Sequence, residues 1–319
     1  MAAEIKTMRD AMIKKICQEM QERENIFFVS ADMGAPTLDE LRTKFKDRFI
    51  SVGIAEQNLI NVSTGLALES YTVYSYGIAP FLTMRAYEQI KNNIALMSQI
   101  KKDMNINLMG VGVGLSYDLS GPSHHALEDM CIMRALPNLI VFSPSDWVLA
   151  EKFVDYSIKI KRPKYARLDG KPVPRIYDAG QKIDFQKGFC ELVAGEKVCL
   201  VATGVMTQRA LEVAGDCLKN GMKVGVLDIF LLKPLNYDSM YEALKKYECV
   251  ITMEEGFINK GGVDGLVSDL LNTKQLDVKL INLGLKDRYI FEMGNRNYLH
   301  KLNYLDKESV IKVVKEVWR

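Results

Sequence analysis

Residues 49–74 read FISVGIAEQNLINVSTGLALESYTVY, and this stretch decides the fold. It begins with a short β-rich run at Phe49–Val52 and continues as a helical stretch that Glu56 opens and Glu69 ends. It then returns to β-branched and aromatic residues at Tyr71–Tyr74. A strand, a helix and a second strand at this spacing predict a βαβ crossover. Such crossovers join parallel strands and place helices over the faces of the sheet.

The same alternation extends along the rest of the chain. It predicts an α/β protein of two domains, each a mostly parallel sheet covered by helices. Further strands are expected at Asn25–Ser30, Asn105–Met109, Leu139–Phe142, Tyr165–Leu168, Val198–Ala202, Val224–Leu227, Val250–Met253 and Val278–Leu283. Further helices are expected at Phe81–Met97, Trp147–Ile160, Gln208–Asn220, Tyr237–Tyr247, Val263–Leu271 and Lys307–Trp318.

A linker separates the two predicted domains. Asp169–Ala179, DGKPVPRIYDA, contains two prolines and no periodic apolar pattern, which is typical of a domain boundary. The first domain is therefore expected over residues 1–172 and the second over residues 180–319. A chain of 319 residues has the length of two ordinary domains.

Composition excludes several classes of function. The 42 basic and 40 acidic residues leave a net charge of +2, so no charge excess indicates nucleic acid or an anionic membrane as partner. The six cysteines are scattered without a CxxC pair, which favours reduced core thiols. The N-terminal stretch MAAEIKTMRDAMIKK is expected to be an amphipathic helix and lacks the apolar core of a signal peptide. We therefore expect a cytosolic protein.

Three loops follow predicted strands in the first half, at Ala31–Thr37, Val52–Asn58 and Gly110–His125. In open parallel sheets, ligands bind at the edge where strands end. The second loop contains Glu56, near the first turn of a helix. Its carboxyl could simply interact with the helix dipole and free backbone amides.

A second interpretation of Glu56 is chemical. The neighbours Ile54, Ala55 and Leu59 would provide partly apolar surroundings, in which the carboxyl of Glu56 could share a proton with a ligand nitrogen. The residues around it leave both interpretations open.

The third loop contains LSGPSHHALED, with His124 and His125. A lone histidine is usually a surface or core residue, but two in a Gly-Pro-Ser turn before a helix indicate function more strongly. Adjacent residues diverge in direction, so at most one is expected to face a ligand. No metal site is predicted, because no third ligand lies at a useful spacing. The glycines of GVGVGLS match neither a Walker loop nor a dinucleotide fingerprint.

Phe81 and Tyr87 have a simple structural interpretation. Both lie in a predicted helix, where aromatic residues at this spacing usually pack in the core. Arg9 is likewise an ordinary helix charge unless it points into a cleft.

Several longer motifs resemble the transketolase family. SVGIAEQN, PFLTMRAYEQI and GPSHHALEDMCIMRALPNLIVFSPSD resemble its pyrimidine-binding domain, with 1-deoxyxylulose-5-phosphate synthase a near relative. ATGVMTQRALEVAGDCLKNGMKVGVLDIFLLKPLN and VITMEEGF resemble the transketolase C-terminal domain. The resemblance extends over nearly all of the chain, with the motifs in the family's order.

One family motif has no counterpart in this sequence. Transketolases bind the diphosphate of thiamine diphosphate, together with Mg²⁺, through a preceding domain with a Gly-Asp-Gly motif, and this chain contains none. The resemblance therefore implies the smaller subunit of a split transketolase. The diphosphate-binding subunit would be a separate polypeptide, and the assembly a heterotetramer with two copies of each chain.

The resemblance also implies roles for residues of the cofactor site. Glu56 matches the glutamate that hydrogen-bonds the aminopyrimidine and promotes its reactive tautomer. Phe81 matches the aromatic that stacks on that ring, and Ile78, taken as one helical turn earlier, would keep the pocket apolar. Asp32 matches an acidic residue that lines the site. His124 matches a histidine that contacts the hydroxyls of the donor sugar and could transfer a proton.

The substrate residues match less well. Arg9 matches a helix arginine that binds the acceptor phosphate, and Thr37 lies where a hydroxyl would assist it. Where the family has an aspartate that binds the donor's C2 hydroxyl, this chain has Ser120, unless Asp118 replaces it. Lys171 lies beside the position of a phosphate-binding arginine and lacks its bidentate fork.

Two further family positions are glycines in this chain. A second histidine of the family falls at about Gly112, and the phosphate-binding arginine falls at Gly170. The residues implied to bind the cofactor are thus retained, whereas those implied to hold the sugar are changed. This difference predicts an unusual sugar as substrate.

Three functions follow from these observations. The first is transfer of a two-carbon ketol unit from a ketose to an aldose. The second is a decarboxylating thiamine-diphosphate enzyme, either similar to deoxyxylulose-phosphate synthase or to the β subunit of a 2-oxoacid dehydrogenase. The third is a non-catalytic subunit that has kept the fold, which the retention of Glu56, Phe81 and His124 argues against.

Overall fold

The computed structural model describes residues 4–318 of the chain. Its strands are β1 Ile5–Thr7, β2 Ile26–Ser30, β3 Phe49–Ser51, β4 Thr72–Ile78, β5 Asn105–Val111, β6 Ile140–Phe142, β7 Lys164–Leu168, β8 Pro172–Pro174, β9 Phe189–Val193, β10 Val198–Ala202, β11 Gly225–Ile229, β12 Leu231–Lys233, β13 Cys249–Phe257 and β14 Lys279–Leu285.

The helices occupy most of the segments between these strands. They are α1 Met8–Glu22, α2 Pro36–Lys44, α3 Glu56–Leu68, α4 Tyr87–Gln89, α5 Met97–Ile100, α6 Asp129–Ala135, α7 Trp147–Lys159, α8 Val205–Lys219, α9 Tyr237–Leu244, α10 Val263–Thr273, α11 Arg296–Leu302 and α12 Lys307–Val317. Wider π-helical turns at Phe81–Arg85 and Ile90–Leu96 continue the helical path around α4 into α5. A 3₁₀ turn spans Asp118–Ser120.

The first sheet has seven strands in the order β12–β6–β7–β5–β4–β2–β3. All of its pairings are parallel except β12 with β6, which is antiparallel. Its central strand β5 is buried along its whole length, as expected for a parallel sheet covered on both faces. The predicted βαβ unit around Glu56 is part of this sheet.

The second sheet has five strands in the order β14–β13–β10–β11–β9. Its pairings are parallel except for β9, which pairs antiparallel with β11. One buried apolar cluster contains Leu59 and Ile90 from the first sheet's helices together with Val201 and Leu227 from the second sheet. The predicted fold class of two mostly parallel, helix-covered sheets is confirmed.

The structure differs from the expected elements in three places. The predicted N-terminal helix begins only at Met8, because Ile5–Thr7 pairs as β1 with Pro172–Pro174 of the expected linker; the helix prediction for residues 1–3 lies outside the described residues. Strand β9 had no strong sequence pattern. Strand β12 comes from the second half of the chain but adds to the first sheet. The boundary between residues 172 and 180 stays a prediction.

No helix within residues 4–318 is long and apolar enough to cross a membrane.

Candidate active site

The candidate site lies at the edge of the first sheet where its parallel strands end. Asp32 follows β2, Glu56 follows β3, and Phe81 follows β4. The loop that contains His124 follows β5, and Lys171 follows β7. Because parallel strands end at one edge, the crossover topology brings these separate segments together.

Glu56 is the first residue of α3 and is buried, with 3% of its side chain exposed. Its Oε2 accepts a hydrogen bond of 2.5 Å from Nη1 of Arg85, which is 47% exposed. Leu59 is fully buried nearby on the same helix, whereas Ile54 is 77% exposed and does not shield the carboxyl as expected. Glu56 is therefore a buried carboxylate with a single cationic partner on its open side.

Phe81 joins the two predicted catalytic residues. Its ring meets that of His124 edge to face at a centroid distance of 5.1 Å. The guanidinium of Arg85 lies 5.0 Å from the centroid of the same ring, within cation–π range. Glu56, Arg85, Phe81 and His124 thus form one continuous cluster, and three of these four residues were predicted.

The two adjacent histidines have different surroundings. His124 is partly exposed, and its Nδ1 lies 3.2 Å from Oγ of Ser123. His125 is buried, and neither ring nitrogen has a hydrogen-bond partner within the described part of the chain. Burial lowers the pKa of His125. Only His124 contacts Phe81, which favours it as the residue that faces a ligand.

Ile78 and Asp32 flank this cluster. Ile78 is the last residue of β4, so the expectation that it lies one helical turn before Phe81 is wrong. Proline at position 80 separates this strand from the helical turn that begins at Phe81. Asp32 is exposed and has a left-handed backbone with φ of 53°, a conformation that aspartate tolerates in tight turns.

Arg9 and Thr37 meet through a carboxylate that the sequence did not single out. Nε and Nη2 of Arg9 donate to the two carboxylate oxygens of Asp10 at 2.9 and 3.0 Å. Oγ1 of Thr37 donates to Asp10 Oδ1 at 3.0 Å. Thr7, the N-cap of α1, also donates to this carboxylate. Arg9 and Thr37 are therefore close together, but both are bound to Asp10.

Asp118 and Lys171 form an ion pair. Asp118 also accepts a backbone hydrogen bond of 2.6 Å from Arg296 of the second half of the chain. Although burial alone raises it, these hydrogen bonds hold the pKa of Asp118 below its usual value. Ser120 is exposed. Asp118 is thus already engaged, and the predicted exchange of roles between Asp118 and Ser120 stays a prediction.

Tyr117 covers both glycines at which family side chains are missing. A Cβ at Gly112 would lie 2.0 Å from the Tyr117 ring, and one at Gly170 would lie 3.0 Å from it. Gly112 also has φ of +87°, a conformation that side chains disfavour. The ring of Tyr117 therefore fills the space that a histidine and an arginine at these positions would need.

A buried charge network connects this loop with the second sheet. Glu255 accepts hydrogen bonds from the backbone of Leu115 at 3.0 Å and from His300, and it is 3.0 Å from Nε of Arg296. Arg296 also donates to Asp169 at 2.6 Å. Burial on its own raises the pKa of Glu255, but Arg296 and His300 outweigh this effect and lower it to about 2.

Two protein-family comparisons agree with this geometry. Residues 5–169 match the transketolase pyrimidine binding domain, and residues 190–310 match the transketolase C-terminal domain. The chain belongs to the transketolase family. The resemblance that its motifs predict is thereby confirmed.

Similar proteins support the same family over nearly the whole chain. One of the two chains of an apulose-4-phosphate transketolase from Actinobacillus succinogenes is 31% identical over 84% of each sequence. A putative transketolase C-terminal section of Methanocaldococcus jannaschii is 30% identical over 98% of this chain and 96% of its own. Among solved structures, a split gene transketolase described as an inactive beta4 tetramer superposes with a TM-score of 0.86, at 29% identity, over 98% of both chains.

Arg85 and Tyr117 are site residues of this transketolase that the sequence analysis missed. Arg85 lies four residues after Phe81 in PFLTMRAYEQI, a separation that places two side chains on one side of a helix. That spacing could have identified it. Tyr117 has no such local signal, because its contacts with Gly112 and Gly170 depend on two loops that follow different strands.

Proposed function

We propose that this chain is the small subunit of a split, thiamine-diphosphate-dependent transketolase. The observation that carries the proposal is the cluster of buried Glu56, Phe81 and His124 at the strand-end edge of a transketolase pyrimidine-binding fold. A buried carboxylate beside an accessible aromatic ring suits a planar, protonated nitrogen heterocycle.

The residues of the cluster fit the aminopyrimidine part of the cofactor. Glu56 would hydrogen-bond a ring nitrogen through its carboxylate and hold the proton there, and Phe81 would stack on the ring. Ile78 and Asp32 would line the same side. Bound thiamine diphosphate would supply the carbon nucleophile and electron sink that this chemistry requires.

The diphosphate and Mg²⁺ would be held mainly by a partner subunit. Within residues 4–318, no group of three His, Cys, Asp or Glu side chains is arranged to hold a metal ion. The similar split gene transketolase is described as an inactive beta4 tetramer, which supports the requirement for a second kind of chain. We infer an α2β2 heterotetramer for the active complex.

The reaction would move two carbons between sugars. The C2–C3 bond of a ketose breaks, the first two carbons pass to the carbonyl carbon of an aldose, and the remainder of the donor leaves as a shorter aldose. The proton lost from the donor's C3 hydroxyl is balanced by the proton gained on the acceptor oxygen, and His124 is the nearest candidate to transfer it. A protein similar to this chain is named for apulose-4-phosphate, which supports an unusual sugar.

Co-purification with the candidate diphosphate-binding subunit tests this function. Thiamine diphosphate would be titrated, with Mg²⁺, into this chain alone and into the pair, and ketol transfer would then be measured. We expect tight cofactor binding and transfer only with the pair. Tight binding by this chain alone would contradict the split-site proposal, and consumption of pyruvate without ketol transfer would indicate a decarboxylating enzyme instead.

A further inference from the structure

The predicted phosphate contact at Arg9 is already neutralised by a neighbouring carboxylate. Both oxygens of Asp10 accept hydrogen bonds from the Arg9 guanidinium, and Thr37 donates to one of them. The fork of Arg9 that would grip a phosphate therefore grips Asp10. A phosphate dianion that approached Arg9 and Thr37 would also approach this carboxylate, and like charges at close range repel.

Lys171, the second predicted cation, is neutralised in the same way. Its ammonium contacts the carboxylate of Asp118, which is itself fixed by the backbone amides of Leu119 at 2.8 Å and Arg296 at 2.6 Å. Lys171 therefore has a preorganised anionic partner within the protein, and a substrate phosphate would have to compete with it.

Tyr117 occupies the space between these two ion pairs. Its ring lies against Gly112 and Gly170, and it is close enough to Arg9 for the two to interact electrostatically. An aromatic ring with one hydroxyl offers contact area and a single hydrogen bond, and both suit the carbon face and hydroxyls of a neutral sugar.

We propose that this transketolase acts on sugars whose far end carries no phosphate, held by hydrogen bonds to the Arg9–Asp10 and Lys171–Asp118 pairs and by the ring of Tyr117. This inference rests on the proposed function and specifies its substrate class. Each ion pair still offers donors and acceptors to hydroxyl groups while presenting no net positive charge to a dianion.

A matched pair of acceptors tests the proposal. The complex with its diphosphate-binding partner, thiamine diphosphate and Mg²⁺ would be assayed with D-glyceraldehyde and with D-glyceraldehyde 3-phosphate. We expect kcat/KM to be higher for the neutral aldehyde by about tenfold or more. Preference for the phosphorylated aldehyde by a similar factor would overturn the inference and leave the proposed function intact.

Charge-neutralising variants test the physical reason. Asp10→Asn and Asp118→Asn each remove a carboxylate charge but keep a side-chain oxygen that can accept the same hydrogen bonds. We expect each to lower KM for the phosphorylated aldehyde by about tenfold, whereas the exposed control Asp39→Asn leaves it unchanged. Unchanged KM values in both site variants would contradict the proposal.

Binding separates the two ways in which these experiments could fail. If the complex transfers a ketol unit to neither aldehyde, the proposed function is wrong. Calorimetric titration of the same two compounds into the complex still decides the inference, because tighter binding of the phosphorylated compound would overturn it and tighter binding of the neutral one would support it.

Discussion

The guanidinium of Arg85 donates a hydrogen bond of 2.5 Å to the buried carboxylate of Glu56 and also lies over the ring of Phe81. One arginine therefore contacts both residues that are expected to hold the aminopyrimidine. It compensates the charge of a carboxylate that has left water, since an unpaired buried carboxylate is costly. Because the contact uses only Oε2, the other oxygen of Glu56 remains able to meet a ligand.

Replacement of Glu56 by glutamine should abolish most of the activity of the reconstituted complex. Loss of a group that holds a proton on the reacting partner typically lowers kcat by about 10²–10⁴-fold. Steady-state turnover would be compared with that of Glu69→Gln, an exposed position just beyond the end of the same helix. If Glu56→Gln turned over at the normal rate, the non-catalytic interpretation of the chain would be supported.

Removal of the aromatic ring at Phe81 should weaken binding of thiamine diphosphate. Stacking adds about 1 kcal/mol beyond burial, so Phe81→Leu is expected to raise the cofactor Kd about fivefold. Titration of the cofactor into the complex measures this change. Phe27→Leu is the matched control, because Phe27 is also half-buried and also meets one ring edge to face, Tyr71, at the start of β2. Equal effects of both variants would contradict a role in cofactor binding.

The two adjacent histidines should respond differently to the same substitution. His124→Asn is expected to lower kcat by about 10²-fold with little effect on folding, because this ring faces Phe81 and is partly exposed. His125→Asn is expected to lower Tm, because this ring is buried and packed. Thermal denaturation and turnover of both variants check this. The reverse pattern would assign the ligand contact to His125.

Stability should depend on pH through the buried pair of glutamates in β13. Burial, together with the charge of nearby Asp264, raises the pKa of Glu254 from 4.5 to about 7. A carboxyl whose folded pKa exceeds its unfolded value contributes stability below the unfolded pKa and loses it as pH rises through the folded pKa. The free energy of unfolding should therefore fall between about pH 4.5 and 7, by up to about 3 kcal/mol.

Glu254→Gln should remove this dependence, and denaturant titrations at pH 5 and 8 would measure it. Glu255 acts in a different window, because its folded pKa is lowered to about 2. Its contribution is present above its unfolded pKa and is lost only as pH falls further toward 2. A decrease in stability from pH 5 to 8 that persisted in Glu254→Gln would show that another group causes it.

Local sequence patterns were enough to predict the first sheet and the position of Glu56. The alternation of short apolar runs with helical stretches depends on neighbouring residues only, and crossover geometry then dictates that the strands are parallel and end at one edge. Glu56, Phe81 and His124 could be placed at that edge because each lies just beyond a predicted strand. The same reasoning could not place Ile78, because the border between a strand and a helix depends on small differences in backbone preference.

Tertiary structure alone decided which side chains meet. The pairing of β12 with β6, the contact of Arg296 with Asp118 and the fit of Tyr117 against Gly112 and Gly170 join segments that lie far apart in the chain. Hydrophobic periodicity specifies the side of an element that is buried, but it does not specify the partner that covers it. The sequence by itself therefore determined the family, the fold class and the carboxylate at the strand ends. The neutralised cations and the aromatic ring beside them arise from packing between loops, for which a single sequence contains no local signal.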